Sequence, residues 1–265
     1  MTADTDFAWY VYAVVADRAA SKLVPEDTIL PDTAIGIVKG DGVAALVSVV
    51  PRGLFAAEHP ASRTAEPDWV AARAGAHHRV VTQAAATGPC LPVGFGTLFG
   101  SPDRLRAWLD HHAPALRRGL DQVAGREEWA VMLLQDPMMR MAWLRANDPR
   151  LAAMAAMVAQ AGPGTGFLLE RRLAKAGDAA METRNGDAAG VLTETFQARG
   201  WSVCREHPRN AVAAWSLMVQ AASGAAAALA QDGAALPGCG LSLRVTGPWP
   251  PYAFARTIFM EQDNG

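Results

Sequence analysis

The side chains able to do chemistry are few and scattered. Six histidines occur, as the pairs His77-His78 and His111-His112 and as the single residues His59 and His207. Neighbouring residues on a helix point about 100° apart, so neither pair closes on one metal ion as an i, i+4 pair would. His77 shares a helical stripe with Ala74 and Val81, the setting of a hydrogen-bonded core or interface histidine, and no partner marks it as a general base. Cys90, Cys204 and Cys239 have no CxxC spacing. Neither a disulfide framework nor a zinc site is encoded, and reduced cytosolic thiols are expected. Cys90 follows Gly88-Pro89 without a cation or base beside it and reads as a structural thiol. No GxSxG is present.

The run Gly162-Pro163-Gly164-Thr165-Gly166 offers successive amides to an anion, but it lacks the GK[ST] of a phosphate loop and reads as a loop entering a helix. Glu127-Glu128 and Arg171-Arg172 read as solvated charges at element ends, and Glu26, Asp27 and Asp32 fall in a proline-containing loop. None makes a carboxylate pair with acid and base roles. The residues therefore predict no catalytic constellation, no metal and no cofactor. The most unusual stretch is GPWPPYAFA, Gly247 to Ala255. Pro248, Pro250 and Pro251 are expected to hold it in an extended, polyproline-like form, while Trp249, Tyr252 and Phe254 supply large amphipathic surfaces. Two roles fit: a lid folded back on the C-terminal sheet, or a protein contact on a low-entropy backbone.

The elements that must position these groups follow from pattern. Trp9–Val15 reads as a buried strand, and Ile35–Val50 as a hairpin turning at Lys39-Gly40-Asp41-Gly42. Pro67 and Asp68 open a helix with Val70, Ala74, His77, Val81 and Ala84 on one stripe, stopped by Gly88-Pro89. Leu91–Phe99 is read as one strand with a close backbone approach at Gly94 or Gly96, and Ser101-Pro102-Asp103 opens a helix that Pro114 is expected to split. Then come a strand Glu128–Gln135, a long helical region to about Arg199 broken at Gly162–Gly166 and at Asn185–Asp187, and strands at Trp201–Glu206 and Ala211–Gln220. An Ala-rich helix and a last strand, Leu241–Gly247, complete a βαββαβ order, the ferredoxin-like split unit. The prediction is an α+β chain of two domains, residues 1–125 and 126–265, the second a modified ferredoxin-like sandwich.

Bulk properties agree. Of 265 residues 51% are hydrophobic, and 24 basic against 26 acidic side chains leave a formal charge of −2, which argues against a nucleic-acid partner. The length suits about two domains of roughly 150 residues. Ala accounts for 54 residues and Arg outnumbers Lys 21 to 3. The first residues lack the basic region and cleavage site of a secretory signal, so export is not expected. Leu151–Leu169 and Ala211–Gln231 carry no charge but are interrupted or Ala-rich, so no membrane association is expected.

Four motifs carry a resemblance: the opening WYVYAVV; the helix bearing Trp69, Arg73, Ala74, His77, Val80 and Val81 that leads into LPVGFGTLF; the strand EEWAVMLL; and the closing TGPWPPYAF. In order and spacing the sequence resembles the gas vesicle protein L/F family (GvpL/GvpF), accessory proteins of gas-filled protein organelles. The resemblance implies two α+β domains, the C-terminal one ferredoxin-like. It implies a non-enzymatic minor component or assembly factor that binds the major shell protein (GvpA) and other accessory proteins, in the cytoplasm and at the vesicle's inner, gas-facing surface. Pro248, Trp249, Pro250, Pro251, Tyr252 and Phe254 would then be the motif residues offered to a partner. Trp69, Arg73, His77, Pro92, Phe95, Gly96 and Trp129 would be motif residues with structural roles. Two departures stand out: Gly94 where the family commonly has Arg, and Met132 where it commonly has a basic residue. A second class, a small-molecule-binding regulatory or enzymatic domain, remains open because ferredoxin-like folds host many functions.

Overall fold

The structure is a computed structural model. It describes residues 7–20, 27–57, 59, 61–208, 210–236 and 238–263, without the side chains of residue 163 and residues 260–263. Glu26, named above in a loop, lies outside the described residues. Contacts divide the chain into two compact units: Met1–Glu128 together with Trp249–Gly265, and Trp129–Pro248. The expected second domain ran on to the C-terminus; in the structure the last segment belongs with the first unit.

The first unit opens with strand β1 (Phe7–Ala16), a single helical turn α1 (Asp17–Ala20), and the hairpin β2 (Gly36–Lys39) and β3 (Val43–Pro51). Gly42, at φ +73°, supplies the left-handed turn residue that the Asp-Gly signal called for. Helix α2 (Pro67–Thr87) follows. The stretch read as one strand is two, β4 (Cys90–Pro92) and β5 (Leu98–Phe99), separated by a turn in which Thr97 N donates to Gly94 O. The glycine is required at Gly96 for its φ of +87°; a Cβ at Gly94 would meet only Thr97 Oγ1 at 3.8 Å. Helix α3 (Pro102–Val123) runs unbroken through Pro114. Pro114 is exposed, and the apolar face Leu105, Leu109, Ala113, Leu116 and Leu120 is buried on both sides of it, so packing outweighs one missing hydrogen bond on the wet face.

These strands form a five-stranded sheet in the order β2-β3-β1-β4, with β5 also on β1. β1 and β3 are antiparallel, Trp9 opposite Val49 and Tyr10 opposite Ser48, until the register slips between Val11 and Ala13. Tyr12 is the extra residue of this bulge. The core-facing parity therefore changes from Tyr10 to Ala13 and Val15, and both tyrosines enter one core with Leu46, Phe55, Trp69, Val80 and Val81.

The chain enters the second unit along β6 (Arg126–Gln135). Two Asp-Pro steps then start helices: Asp136 Oδ1 caps α4 (Pro137–Asn147) at Met139 N, 2.9 Å, and Asp148 Oδ1 caps α5 (Pro149–Gln160) at Arg150 N, 2.9 Å. Helix α6 (Pro163–Ala198) is 36 residues long, about 54 Å. The expected break at Asn185–Asp187 does not occur. Asn185 is buried, accepting from Arg140 Nε at 3.0 Å and donating to Gln135 Oε1 at 2.6 Å, so its side chain is held by tertiary partners instead of turning the backbone. Strands β7 (Ser202–Glu206) and β8 (Ala213–Gln220), helix α7 (Ala225–Ala234) and strand β9 (Leu241–Trp249) follow.

The second sheet has the order β7-β8-β6-β9. Val131, Leu133, Leu192, Phe196, Trp215, Leu217 and Leu229 form its core, with Trp129 packed against it. A separate small cluster, Leu144, Leu151 and Leu173, holds α4, α5 and the first half of α6 together. The molecule is thus a mixed α and β chain with two sheets. The tail, expected to be extended from Gly247 to Ala255, is extended only through Gly247–Trp249 at the end of β9. After β9 it forms α8 (Tyr252–Asp263), because prolines just ahead of a helix lack only donors that would go unused, and Ala255 N donates to Pro251 O.

Candidate functional site

The motif residues of the first unit converge on helix α2. Tyr10 lies on β1 with its hydroxyl 2.8 Å from His77 Nδ1, and Gly96 N approaches the same hydroxyl at 3.4 Å. The phenol is the donor to histidine, because burial foremost pushes the Tyr10 pKa far up and keeps it protonated. His77 is pushed down to about 4, first by its own burial, with the Val93 carbonyl opposing and neighbouring His78 adding to the effect. The imidazole is therefore neutral, accepting at Nδ1 and carrying its proton on Nε2. Around it stand Tyr12, stacked at 5.7 Å, and Phe95, edge-on at 6.1 Å.

A second hydrogen-bond chain runs beside the first. Ile29 N donates to the Tyr12 hydroxyl (2.8 Å), which donates to Ser48 Oγ (2.8 Å), which donates to Ala34 O (2.8 Å). Arg73, one turn before His77, donates from Nη1 to Ile29 O at 2.9 Å. Both backbone groups of fully buried Ile29 are thus held by motif side chains. Pro92 sits opposite Ala13, and Trp69 packs on Phe55 with ring centroids 5.2 Å apart.

The next residue of α2 faces elsewhere. His78 Nδ1 is 3.0 Å from the Tyr252 hydroxyl, and its ring lies 5.4 Å from that of Trp249. Tyr252 packs against the core of the first unit, and Pro250 and Pro251 are buried. A lid was expected on the C-terminal sheet; Tyr252 packs instead in the first unit, while Trp249 is the last residue of β9. Pro248 is exposed, Phe254 half-buried, and Trp249 keeps 39% of its surface exposed. Glu128, expected to be a solvated charge, is buried and accepts from Ala253 N at 3.0 Å, capping α8. No local signal marks it, since its donor lies 125 residues away in sequence. Cys90 is buried in the same unit and its thiol is pushed up to about 12 by that burial, while Tyr252 is also raised, chiefly by burial.

The other candidates stay apart. His111 and His112 meet edge-on at 4.7 Å, and His112 lies beside Trp108. No group of three metal-ligating side chains occurs among the described residues, and no described helix is long and apolar enough to cross a membrane. Gly162 precedes α6 as its entering residue. Arg171 and Arg172 are exposed. A shallow groove of about 510 Å³ opens on the first sheet, lined by Trp9, Asp32, Val47, Val49, Pro102 and Arg106 beside edge strand β2. Phe7 and Val49, 48% and 44% exposed, lie at the same end of the sheet.

Comparison with known proteins follows the same residues. The family model described as gas vesicle synthesis protein GvpL/GvpF matches residues 8–256. Gas vesicle protein L2 of Halobacterium salinarum is 34% identical, covering 96% of this chain and 94% of its own, and gas vesicle protein L of a Streptomyces species is 27% identical over 95% and 94%. The crystal structure of the gas vesicle protein GvpF from Anabaena shares the fold at a TM-score of 0.72 with 16% identity, covering 94% of this chain and 98% of its own. With a family match that runs from the first core strand into the tail helix, the chain belongs to the GvpL/GvpF family of gas vesicle proteins.

Proposed function

We propose that this chain is a non-enzymatic accessory protein of gas vesicle formation, a minor structural component or assembly factor that binds the small hydrophobic major shell protein (GvpA). Family membership supports a gas vesicle accessory role. The observation that carries the non-enzymatic reading is the tuning of the buried groups. Tyr10 and Tyr252 are raised, Cys90 is pushed up to about 12 and His77 down to about 4. General acid–base work at neutral pH calls for a group poised near 7, and these are moved away from it. The Tyr10 hydroxyl serves His77 and Gly96 N, and the Tyr252 hydroxyl serves His78, contacts that build the unit.

Contact with an aggregation-prone shell subunit calls for apolar surface that does not condense with itself. The first sheet supplies exposed Phe7 and Val49 on β1 and β3, and β2 is an edge strand among the described residues, features suited to burying side chains or adding a strand, while Trp249 supplies tail surface. Pro248, Trp249 and Phe254 remain the tail residues offered to a partner; Pro250, Pro251 and Tyr252 anchor them. Other accessory proteins are further partners, and neither nucleic acid nor membrane is one. The protein acts in the cytoplasm and at the inner, gas-facing surface of the vesicle. The two compact units are its two domains, and the second is a modified ferredoxin-like one: β6, β7, β8 and β9 in the order β7-β8-β6-β9 follow the split βαββαβ unit, with α4, α5 and the long α6 in its first crossover.

Co-purification of the tagged full chain with the shell protein tests this, alongside vesicle counts in a deletion strain. Binding and loss of vesicles are expected; no binding together with normal vesicles would sink the idea. The small-molecule reading would use the groove at Trp9, Asp32 and Arg106. It requires a nucleotide or metabolite that raises the melting temperature, and a flat response across such a panel removes it.

A further inference from the structure

The exposed side of α6 carries a pattern that neither packing nor family membership explains. Gly164, Leu168, Arg171, Lys175, Asp178, Glu182 and Gly186 recur at spacings of three and four and are all exposed, so they form one stripe about 33 Å long. The opposite side of the same helix, with Leu173, Ala176 and Ala180, packs on α4 and α5.

Charge on the stripe is segregated. Arg171 and Lys175 come first, Asp178 and Glu182 after. Arg171 and Lys175 are like charges at i, i+4, and so are Asp178 and Glu182, an arrangement that destabilises an isolated helix. None of the four makes an ion pair among the described residues. A helix face selected only for solubility would alternate the signs.

We infer that this face pairs antiparallel with the same face of a second copy of this chain. With a two-fold axis between Lys175 and Asp178, Arg171 meets Glu182 of the second copy and Lys175 meets its Asp178. Each pair occurs twice, as an isologous interface requires. A parallel arrangement would set Arg171 on Arg171. The antiparallel register also brings Phe167 and Leu168, 61% and 60% exposed, over Gly186 of the second copy, where an added Cβ would find nothing within 4 Å. Apolar knobs at both ends then meet open glycine positions, with the charge ladder between them. Because both halves of the complement lie on one face, the occupant is a second copy and not an unrelated acidic protein.

Sedimentation velocity of the full chain at increasing concentration tests this. At 0.01 M salt a dimer is expected; at 1 M salt, where the Debye length falls from about 30 Å to about 3 Å, the dissociation constant should rise at least about tenfold. The double variants Arg171→Glu/Lys175→Glu and Asp178→Lys/Glu182→Lys should each be monomeric, and their equimolar mixture should dimerise again. If a double variant fails to fold, the salt titration of the unaltered chain still decides. A chain that stays monomeric at low salt up to its solubility limit overturns the proposal, even if it binds an acidic peptide. A dimer that ignores salt and both charge reversals overturns it as well.

Discussion

Acid should weaken the first unit through one residue. His77 is buried against Tyr10 and held to a pKa of about 4, against 6.5 for an ordinary histidine. On acidification the unfolded chain takes up this proton first, so its contribution to stability is complete above pH 6.5 and is lost as pH falls toward 4. The full difference of about 2.5 units corresponds to about 3 kcal/mol below pH 4, and about 2 kcal/mol is already lost at pH 5.0. Other groups titrate over the same range, so the assay is a double difference: urea unfolding at pH 7.5 and 5.0 for the unaltered chain and for His77→Asn. The carboxamide oxygen of asparagine still accepts from the Tyr10 hydroxyl but does not titrate. The substitution lowers stability at pH 7.5 through the space it leaves, yet its further loss on going to pH 5.0 should be smaller than that of the unaltered chain by about 2 kcal/mol. Equal losses in the two proteins would refute the assignment of a buried neutral imidazole.

Three other substitutions probe the scaffold. Gly240→Ala places a Cβ 2.3 Å from Arg140 N and 2.6 Å from its Cα at a φ of +75°, where only backbone movement makes room; a loss of about 2–4 kcal/mol is expected in urea unfolding. Glu128→Ala removes the carboxylate that accepts from Ala253 N and should cost about 1 kcal/mol or more, with hydrogen exchange accelerated selectively in α8. Tyr10→Phe leaves the His77 Nδ1 acceptor without its donor and should cost about 1–3 kcal/mol, with the imidazole losing its single tautomer by nitrogen NMR.

Much of the fold was legible because it is local. The Asp-Gly turn, the Pro67 start of α2 and the Ser101 cap of α3 are decided by residues within a few positions of one another. The failures share a different cause. Pro114 and Asn185 look like breakers in sequence, and both sit in continuous helices because tertiary partners or a buried apolar face outweigh the local preference. The Asp136-Pro137 and Asp148-Pro149 steps were readable as helix starts, but a single helical region hides them behind its overall apolar content. The tail prolines signal stiffness without saying whether a helix follows them. Glu128 and Tyr252 gain their roles from residues more than a hundred positions away, and no window of sequence contains both partners.

The adjacent histidines tie these observations together. Their separation of about 100° around α2 prevents them from sharing a metal, and the same angle lets each serve a different layer. His77 turns into the core toward Tyr10 and His78 turns to the tail toward Tyr252. One helical turn thus joins three motifs that are far apart in sequence, and the residues that make the family recognisable are largely those that build its first unit. Substituting them will lower stability before it reports on any partner. Surfaces for the proposed partners must instead be sought among residues that pack little within the chain, such as Phe7, Val49, Phe167 and the charged stripe of α6. There, a loss of binding at unchanged stability separates contact from scaffold.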